Sequence, residues 1–442
     1  MSNRQQIINE ALLRVDGVLP GSKHDKHLKM CISPFVFYRG SSQLFYHDIQ
    51  AGLLDLPESS SVPLTTIMGD CHTSNFGFFT EEGSFGEQIV FSLNDFDDAC
   101  VGHAIWDISR LMVSLVLAVE HCRGVVDGYY LAEKDYSDKK AVGNEQMYAA
   151  LNAMLDAYML VLEQGLSKKA IDQHFLDLAF NDFATPSALS KRYKKAKKIV
   201  LGGEAFLSKS ALAKAVDLQT YPLKFKADSD KFLPLVDGKY LATKQAIAPY
   251  FFHEILDIVA RLGSGTGSAG LERYYALVGP SELTEIEHLA LCHVVEIKQQ
   301  REAAPIYYFP NLHHQNKLNP AHLTVKCQRR MQRRTDFILD EAYFDDRHWL
   351  LRSRHHAKVG MDPEHIGIGK VNAEQGGFAF YASACGQELA RAHCRGDRFS
   401  LDYERAQLAY LQKQKTRLID LATMYAKQVM QDWRYLCERE KT

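Results

Sequence analysis

A short acidic loop between two strand-like runs constrains the fold of this 442-residue chain more than any other feature. The loop, Gly69–Asn75 (Gly-Asp-Cys-His-Thr-Ser-Asn), follows the apolar run Val62–Met68 and precedes Phe76–Phe79. After a turn, a second apolar run, Gln88–Leu93, leads directly into Asn-Asp-Phe-Asp-Asp at residues 94–98. Short apolar runs bounded by turn residues predict strands. The sequence therefore predicts a hairpin that carries acidic groups at two strand ends.

The residue types and their spacing in this hairpin are typical of phosphoryl transfer. That reaction needs a carboxylate to orient the attacking hydroxyl, and amide and carboxylate oxygens to hold Mg²⁺ on the phosphates. Asp70 and Asn75 stand five positions apart, as in a kinase catalytic loop. The predicted catalytic residues are Asp70, His72 and Asn75. The predicted Mg²⁺ ligands are Asn75, Asp95 and Asp97, because hard oxygen ligands suit magnesium better than zinc. The alternative is that Asp70 and Asp95 only cap turns after strands.

Two motifs carry a resemblance to known enzymes. Gly69-Asp-x-His-x-x-Asn75, followed by Asp95-Phe-x-x-Ala99, resembles the catalytic and metal-binding loops of aminoglycoside and choline kinase-type phosphotransferases. Gly102–Ile108 is similar to the segment that opens a buttressing helix in those enzymes. Met68 departs from their pattern, since they usually carry a His there that braces the loop. The resemblance implies ATP and Mg²⁺ as cofactors and a hydroxyl or amine as the acceptor.

Over nearly its full length the chain also resembles the bacterial domain-of-unknown-function family 2252 (DUF2252). The segments that carry this resemblance are Ser33–Gly40, Asn94–Asp98 and Leu389–His393. Arg39, in the first of them, is a candidate for binding a phosphate or an acidic substrate through its planar guanidinium. Pairing of Arg39 with a buried carboxylate is the alternative.

A glycine-rich segment between two strand-like runs is a second candidate phosphate site. Gly265, Gly267 and Gly270 form Gly-x-Gly-x-x-Gly between the strand-like runs Ile255–Leu262 and Arg273–Val278. Glycine lets backbone amides approach phosphates closely because no Cβ intervenes. A Rossmann turn is the alternative, but it would need a helix directly after the glycines. The strand formers that follow favour a kinase-like loop that binds the nucleotide.

Lys298 is the candidate cation for the nucleotide phosphates. Val294–Lys298 resembles the Val-Ala-Ile-Lys strand whose lysine holds the α- and β-phosphates. An exposed charge at the edge of a sheet is the alternative for a lone lysine. The predicted helix at Pro320–Arg333 should offer this lysine a glutamate, yet it contains no acidic residue. Gln328 and Glu302 are the remaining candidate partners.

The order of these motifs implies a circular permutation. Kinases place the nucleotide lobe before the catalytic loop, but only about seventy residues precede Asp70. Gly386–His393 resembles the helix before the catalytic loop of the phosphotransferases. The resemblance implies an α+β, protein kinase-like two-lobe fold, circularly permuted, with a largely helical catalytic lobe and a smaller β-rich nucleotide lobe. The expected regions are 1–200 (catalytic, with a helical insertion), 201–370 (nucleotide-binding) and 371–442 (helices that return to the catalytic lobe).

The net charge and the cysteine pattern limit which binding partners and which cellular compartment are expected. A formal net charge of −2 gives no general attraction to nucleic acid or to an anionic membrane. The basic run at 191–198 is expected to be a solvated helix face, with a nucleic-acid patch as the alternative. Nine cysteines without a Cys-x-x-Cys pair fit a reducing compartment, and the N-terminus has no apolar stretch typical of a signal peptide. We expect a cytoplasmic protein whose partners are a nucleotide and a small-molecule substrate, without nucleic acid or membrane.

Three functions stay open at this point. The first is Mg-ATP-dependent phosphotransfer, with nucleotidyl transfer as a variant that the same residues support. The second is a non-catalytic, pseudokinase-like nucleotide-binding module, suggested by the missing helix glutamate and by Met68. The third is a metallophosphoesterase, since Gly-Asp-x-His also occurs in two-metal hydrolases, although the further His-containing ligand stretches do not follow Asp95. The sequence identifies neither the acceptor nor the oligomeric state.

Overall fold

Helices dominate both ends of the chain and an antiparallel sheet lies between them in sequence. The computed structural model describes residues 3–84, 86, 88–167, 187–227, 229–262, 271–282, 286–397 and 400–441. The mixture of helices and antiparallel sheets confirms the expectation of an α+β protein. In these ranges no helix is both long enough and apolar enough to span a membrane.

The helices and strands have the following bounds. The helices are α1 Asn3–Asp16, α2 Asp25–Met30, α3 Pro34–Gly40, α4 Ser42–Gln50, α5 Ala104–Val126, α6 Asn144–Leu166, α7 Ala188–Lys197, α8 Phe206–Lys209, α9 Ala211–Ala215, α10 Asp237–Ile247, α11 Ala304–Tyr308, α12 Pro320–Met331, α13 Pro363–Gly367, α14 Lys370–Glu374, α15 Gly377–Gly396 and α16 Asp402–Lys441. The strands are β1 Thr65–Ile67, β2 Phe76–Thr80, β3 Ile89–Leu93, β4 Cys100–Gly102, β5 Val216–Asp217, β6 Lys224–Phe225, β7 Phe232–Pro234, β8 Glu254–Arg261, β9 Arg273–Gly279, β10 His293–Gln299, β11 Asp340–Phe344, β12 Arg347–Ser353 and β13 Lys358–Gly360.

The helical core is built around α5, α6, α15 and α16. Helix α5 is apolar on nearly every face, which explains why it is buried along most of its length. Helices α6 and α15 approach closely at Gly386, where a Cβ would lie 2.2 Å from the backbone oxygen of Met154. The absence of a side chain at Gly386 therefore sets the distance between these two helices.

The large sheet is antiparallel, with the strand order β11-β12-β10-β9-β8-β7. Side chains alternate along β10, so that Val295 and Ile297 pack with Trp349 in one layer. Val294 packs in a separate apolar cluster on the other face, and Glu296 and Lys298 share that face with it by the same alternation. Helix α12 packs between this sheet and α15. The face that carries Lys298 is turned towards the hairpin β2–β3, since Lys298 pairs with Asp97 just after β3.

Distant parts of the chain meet at the hairpin β2–β3. Strand β13 pairs with β2 and extends the hairpin to three strands. The Thr65 side chain donates a hydrogen bond to the backbone oxygen of His393 at 2.7 Å, so the end of α15 lies against the start of β1. Val359 and Met361 belong to the helical core, although the predicted division placed them in the nucleotide region. The domain boundaries stay a prediction.

Candidate functional site

The loop that carries Asp70 is held from behind by a buried carboxylate. Asp107, in the first turn of α5, accepts the backbone N–H groups of Met68 at 2.6 Å and Gly69 at 3.0 Å. The ring of His393 contacts the same carboxylate at 3.1 Å, and the Tyr46 hydroxyl donates to the Gly69 carbonyl at 2.5 Å. The Met68 side chain itself is buried in the core. Asp107 therefore braces the loop although position 68 is not a histidine.

Gly69 lets the loop turn tightly at this point. Its φ is +78°, and a Cβ on it would lie 1.9 Å from the backbone oxygen of Asp98. We predict that Gly69→Ala lowers the free energy of unfolding by roughly 3 kcal/mol, as the sum of left-handed strain and a steric clash with backbone. Urea unfolding followed by circular dichroism measures this change.

Gly52→Ala is the matched control for that substitution. Gly52 has a φ of +70° and open space where its Cβ would be, so the change should cost only about 1–2 kcal/mol. Equal costs at the two positions would contradict the close approach of Gly69 to Asp98.

The Asp70 carboxylate is anchored through one oxygen and free at the other. Arg110 of α5 contacts Oδ1 through Nε at 2.7 Å and Nη2 at 2.5 Å. In the described part of the chain Oδ2 accepts no hydrogen bond, and the nearest His72 nitrogen lies 3.9 Å away. Burial raises the pKa of Asp70 to about 6, opposed by Arg110 and reinforced by the charge of Asp98. Asp70 is therefore ionised at neutral pH, with a proton affinity suited to a general base.

His72 and Asn75 lie in the same loop. His72 is buried, and burial together with Arg39 and Arg110 holds the pKa of its ring well below the usual value. The side-chain nitrogen of Asn75 donates to the Asp70 carbonyl at 3.0 Å. Since that bond engages the nitrogen, the amide oxygen of Asn75 is the atom available to a cation.

Asp95 and Asp97 follow β3, and the structure brings Lys298 to them from the large sheet. The Lys298 ammonium forms an ion pair with Oδ2 of Asp97. Oδ1 of Asp97 accepts from the Gln300 side chain at 3.2 Å and lies 3.6 Å from Arg352. The Asp95 carboxylate, in the described residues, accepts only the backbone N–H of Asp97 at 3.4 Å. Burial, and then the charge of Asp97, raises the pKa of Asp95.

Arg39 of α3 faces the same acidic groups. Its Nε is buried without a hydrogen-bond partner, and in the described ranges no carboxylate lies at ion-pair distance from its guanidinium. Burial lowers the pKa of Arg39, opposed by the negative charges of Asp70, Asp362 and Asp95. The sequence left two roles for Arg39, phosphate binding and pairing with a buried carboxylate. The ion pair with a carboxylate is absent from the described structure. In the described residues Arg39 therefore offers an unpartnered Nε donor, and the negative charges of Asp70 and Asp95 act on its guanidinium.

Two expectations about the nucleotide side of the site have different outcomes. Gly265, Gly267 and Gly270 lie outside the described residues, but the chain that follows them forms β9, which pairs with β8, rather than a helix. The expected pairing of Lys298 with Gln328 or Glu302 is wrong. Gln328 bonds instead to Gln332 at 3.0 Å, and Glu302 is exposed, because Lys298 at the end of β10 points to the hairpin rather than to α12.

Two charged groups of the site, Arg110 and Glu296, were not predicted from the sequence. Arg110 is a charged residue among buried apolar residues of α5, and such a position signals a buried partner. Glu296 is fully buried, and three arginines converge on it: Arg273 at 3.0 Å, Arg352 at 2.7 Å and Arg354 at 3.7 Å. Alternation along β10 predicts that Glu296 and Lys298 lie on the same face of the sheet. The arginines that pair with Glu296 lie on neighbouring strands, and their positions depend on the strand register.

The oxygens of Asn75 and Asp95 fit Mg²⁺ better than a transition metal. Within the described residues, no group of three or more His, Cys, Asp or Glu side chains converges as a metal site would require. Magnesium is usually held by one or two carboxylates together with substrate phosphates and water. An incomplete protein ligand set beside cationic side chains is therefore suited to a metal that arrives with phosphate.

The chain matches the sequence family described as "Uncharacterized protein conserved in bacteria (DUF2252)" over residues 19–127 and 136–439. These ranges contain all of the candidate site residues. No curated protein and no solved structure matches the chain.

Proposed function

The chain belongs to the DUF2252 family, and we propose that it is a Mg²⁺- and nucleotide-dependent phosphotransferase. One contact carries the proposal. Lys298 of the large sheet pairs with Asp97, two residues after Asp95, although 201 positions of sequence separate the lysine from this aspartate. This contact joins a candidate phosphate-binding cation to the candidate metal-binding hairpin. Phosphoryl transfer requires these two components side by side.

Asp95 and Asn75 are the residues that would hold the metal. Both oxygens of Asp97 are engaged by Lys298, Gln300 or Arg352, whereas Asp95 accepts a single long backbone hydrogen bond in the described residues. Mg²⁺ at this point would neutralise charge on the nucleotide phosphates and hold them in place. Asp97 then positions Lys298 rather than ligating the metal.

Asp70 would orient and deprotonate the acceptor. Arg110 fixes the rotamer of Asp70 through Oδ1, so that Oδ2 can accept a hydrogen bond from an acceptor hydroxyl or amine. Arg39 and Lys298 place positive charge near the carboxylates, and this charge favours phosphate groups. His72, held neutral by its burial, lines the loop without adding charge.

The arrangement of the elements supports a permuted kinase-like fold. The glycine segment connects the adjacent strands β8 and β9, Lys298 lies on the next strand, β10, and α12 follows, as in the nucleotide lobe of kinases. The end of α15 lies beside the start of β1, where an unpermuted chain would continue into the catalytic loop. The partner of Lys298 differs from that of the corresponding lysine in kinases, because it is Asp97 rather than a glutamate on a helix.

A non-catalytic nucleotide-binding module is the second candidate, favoured by the ion pair between Arg110 and Asp70. That pair stabilises the ionised carboxylate and so reduces its affinity for a proton.

Melting curves with ATP and Mg²⁺, together with a product assay, separate these functions. We expect a melting temperature that rises more with ATP and Mg²⁺ together than with either ligand alone, and ADP formation in the presence of acceptor. Stabilisation without turnover would favour the second candidate, and pyrophosphate release would indicate nucleotidyl transfer. Metal-dependent ester hydrolysis without ATP would indicate a phosphoesterase and would contradict the proposal.

A further inference from the structure

A small cavity beside the β2–β3 hairpin is lined by five cationic side chains, three of them lysines without an acidic partner in the described residues. It measures about 170 Å³, roughly the liquid volume of five or six water molecules. Its charge comes from Lys209, Lys214, Arg352, Arg354 and Lys358. None of the described residues that line it is acidic. We call this cavity the basic pocket.

The three lysines of the basic pocket have no acidic partner in the part of the chain that the structure describes. In the described residues, no carboxylate lies at ion-pair distance from Lys209, Lys214 or Lys358, and the Lys358 ammonium reaches only the Asn94 carbonyl at 3.4 Å. Partial removal from water, followed by repulsion from Arg354 and Arg352, lowers the pKa of Lys358 to about 8. Crowded cations of this kind are stabilised by an anion that neutralises them.

Buried polar atoms without partners also line the basic pocket. His356 is 7% exposed, and both of its ring nitrogens lack a hydrogen-bond partner among the described residues. Gln328 is 4% exposed, and its side-chain oxygen has no partner in the same ranges. Buried polar groups are nearly always satisfied, so the missing partners point to a ligand that supplies them. This observation is independent of the charge of the pocket.

The basic pocket adjoins a larger cavity with an aromatic surface. The larger cavity measures about 670 Å³ and shares Lys214 and Arg354 with the basic pocket. Phe232, Tyr275 and Val294, on the inner face of the large sheet, supply its apolar wall. A flat organic group would fit against these side chains while charged groups occupy the basic pocket.

We propose that the basic pocket binds the phosphate groups of an organic phosphate whose organic part lies in the larger cavity. This site goes beyond the proposed function, because it requires neither a divalent metal nor turnover. Asn94 lines the basic pocket and directly precedes Asp95, so the ligand would lie next to the candidate metal site. Its phosphates come either from the nucleotide or from a phosphorylated acceptor.

Calorimetric titration of the full chain with tripolyphosphate in EDTA tests the site without metal. We expect the wild type to bind and the double variant Lys214→Gln/Lys358→Gln to bind at least about tenfold more weakly. The matched control is Lys134→Gln/Lys413→Gln, which removes the same charge from exposed positions outside both cavities. The control should bind like the wild type. Equal affinities of the wild type and the pocket variant, or equal losses in both variants, would overturn the proposal.

Two further arms identify the source of the phosphate and separate this site from the proposed function. Displacement of tripolyphosphate by ATP more readily than by a hexose phosphate would assign the pocket to the nucleotide, and the reverse order to the acceptor. Both outcomes support the site, whereas failure of both ligands to compete would contradict it. Asp95→Asn should retain this metal-free binding, so loss of Mg²⁺-dependent binding in that variant bears on the proposed function alone.

Discussion

Asp70→Asn is expected to lower turnover by about 10²–10⁴-fold while leaving Mg²⁺-dependent nucleotide binding within a few-fold of the wild type. Asn keeps the shape of the side chain and an oxygen for Arg110, but it cannot take a proton from the acceptor. In the proposed site, Asp70 acts on the acceptor and not on the metal. Steady-state turnover and equilibrium nucleotide binding, measured on the same preparation, test the two halves of this prediction.

The Arg110 ion pair requires a control for stability. Arg110 is fully buried, so removing the charge of Asp70 leaves an uncompensated cation and should cost about 3–5 kcal/mol of unfolding free energy. The double variant Asp70→Asn/Arg110→Gln removes both charges and should recover part of this stability without recovering turnover. Recovery of turnover together with stability would show that Asp70 acts only structurally. Unchanged turnover in Asp70→Asn would exclude the proposed role outright.

Asp95→Asn is expected to abolish the gain in nucleotide affinity that Mg²⁺ provides. Of the two candidate metal-binding carboxylates, that of Asp95 is the one that the described protein engages least, and an amide oxygen in its place carries no charge for the cation. We predict nucleotide binding at least about 100-fold weaker in Mg²⁺, and unchanged in EDTA. Titration of a fluorescent ATP analogue in both buffers measures the difference.

Asp97→Asn is the matched control for Asp95→Asn. Asp97 pairs with Lys298, which is 2% exposed, so its substitution should lower the melting temperature while the Mg²⁺ dependence of binding persists. Loss of the Mg²⁺ dependence in Asp97→Asn but not in Asp95→Asn would exchange the roles assigned to these two aspartates.

Local features of the fold were predictable from the sequence. The predicted strands at 76–79 and 88–93 correspond to β2 and β3, and the helix expected to open at Gly102–Ile108 corresponds to α5. Asp107, predicted to lie in the segment that opens a buttressing helix, lies in the first turn of α5 and holds the loop that carries Asp70. These features depend on residues close in sequence, whose spacing reports helix or strand directly.

The charged partners of the site were not predictable in the same way. The pairs Arg110–Asp70, Arg352–Glu296 and Lys298–Asp97 join residues 40, 56 and 201 positions apart. Which side chains meet at such separations depends on strand register and on how α12 packs against the sheet. Lys298 is an example. Its position before α12 made Gln328 of that helix a candidate partner, whereas in the fold Lys298 pairs with Asp97, which follows β3.

A structure of the protein with Mg²⁺ and a non-hydrolysable ATP analogue tests the central claim most directly. We predict a cation about 2.0–2.1 Å from oxygens of both Asn75 and Asp95. We also predict the Lys298 ammonium within about 3 Å of a phosphate oxygen of the analogue. A cation bound by neither residue, or a triphosphate placed away from Asp70 and Asp95, would contradict it.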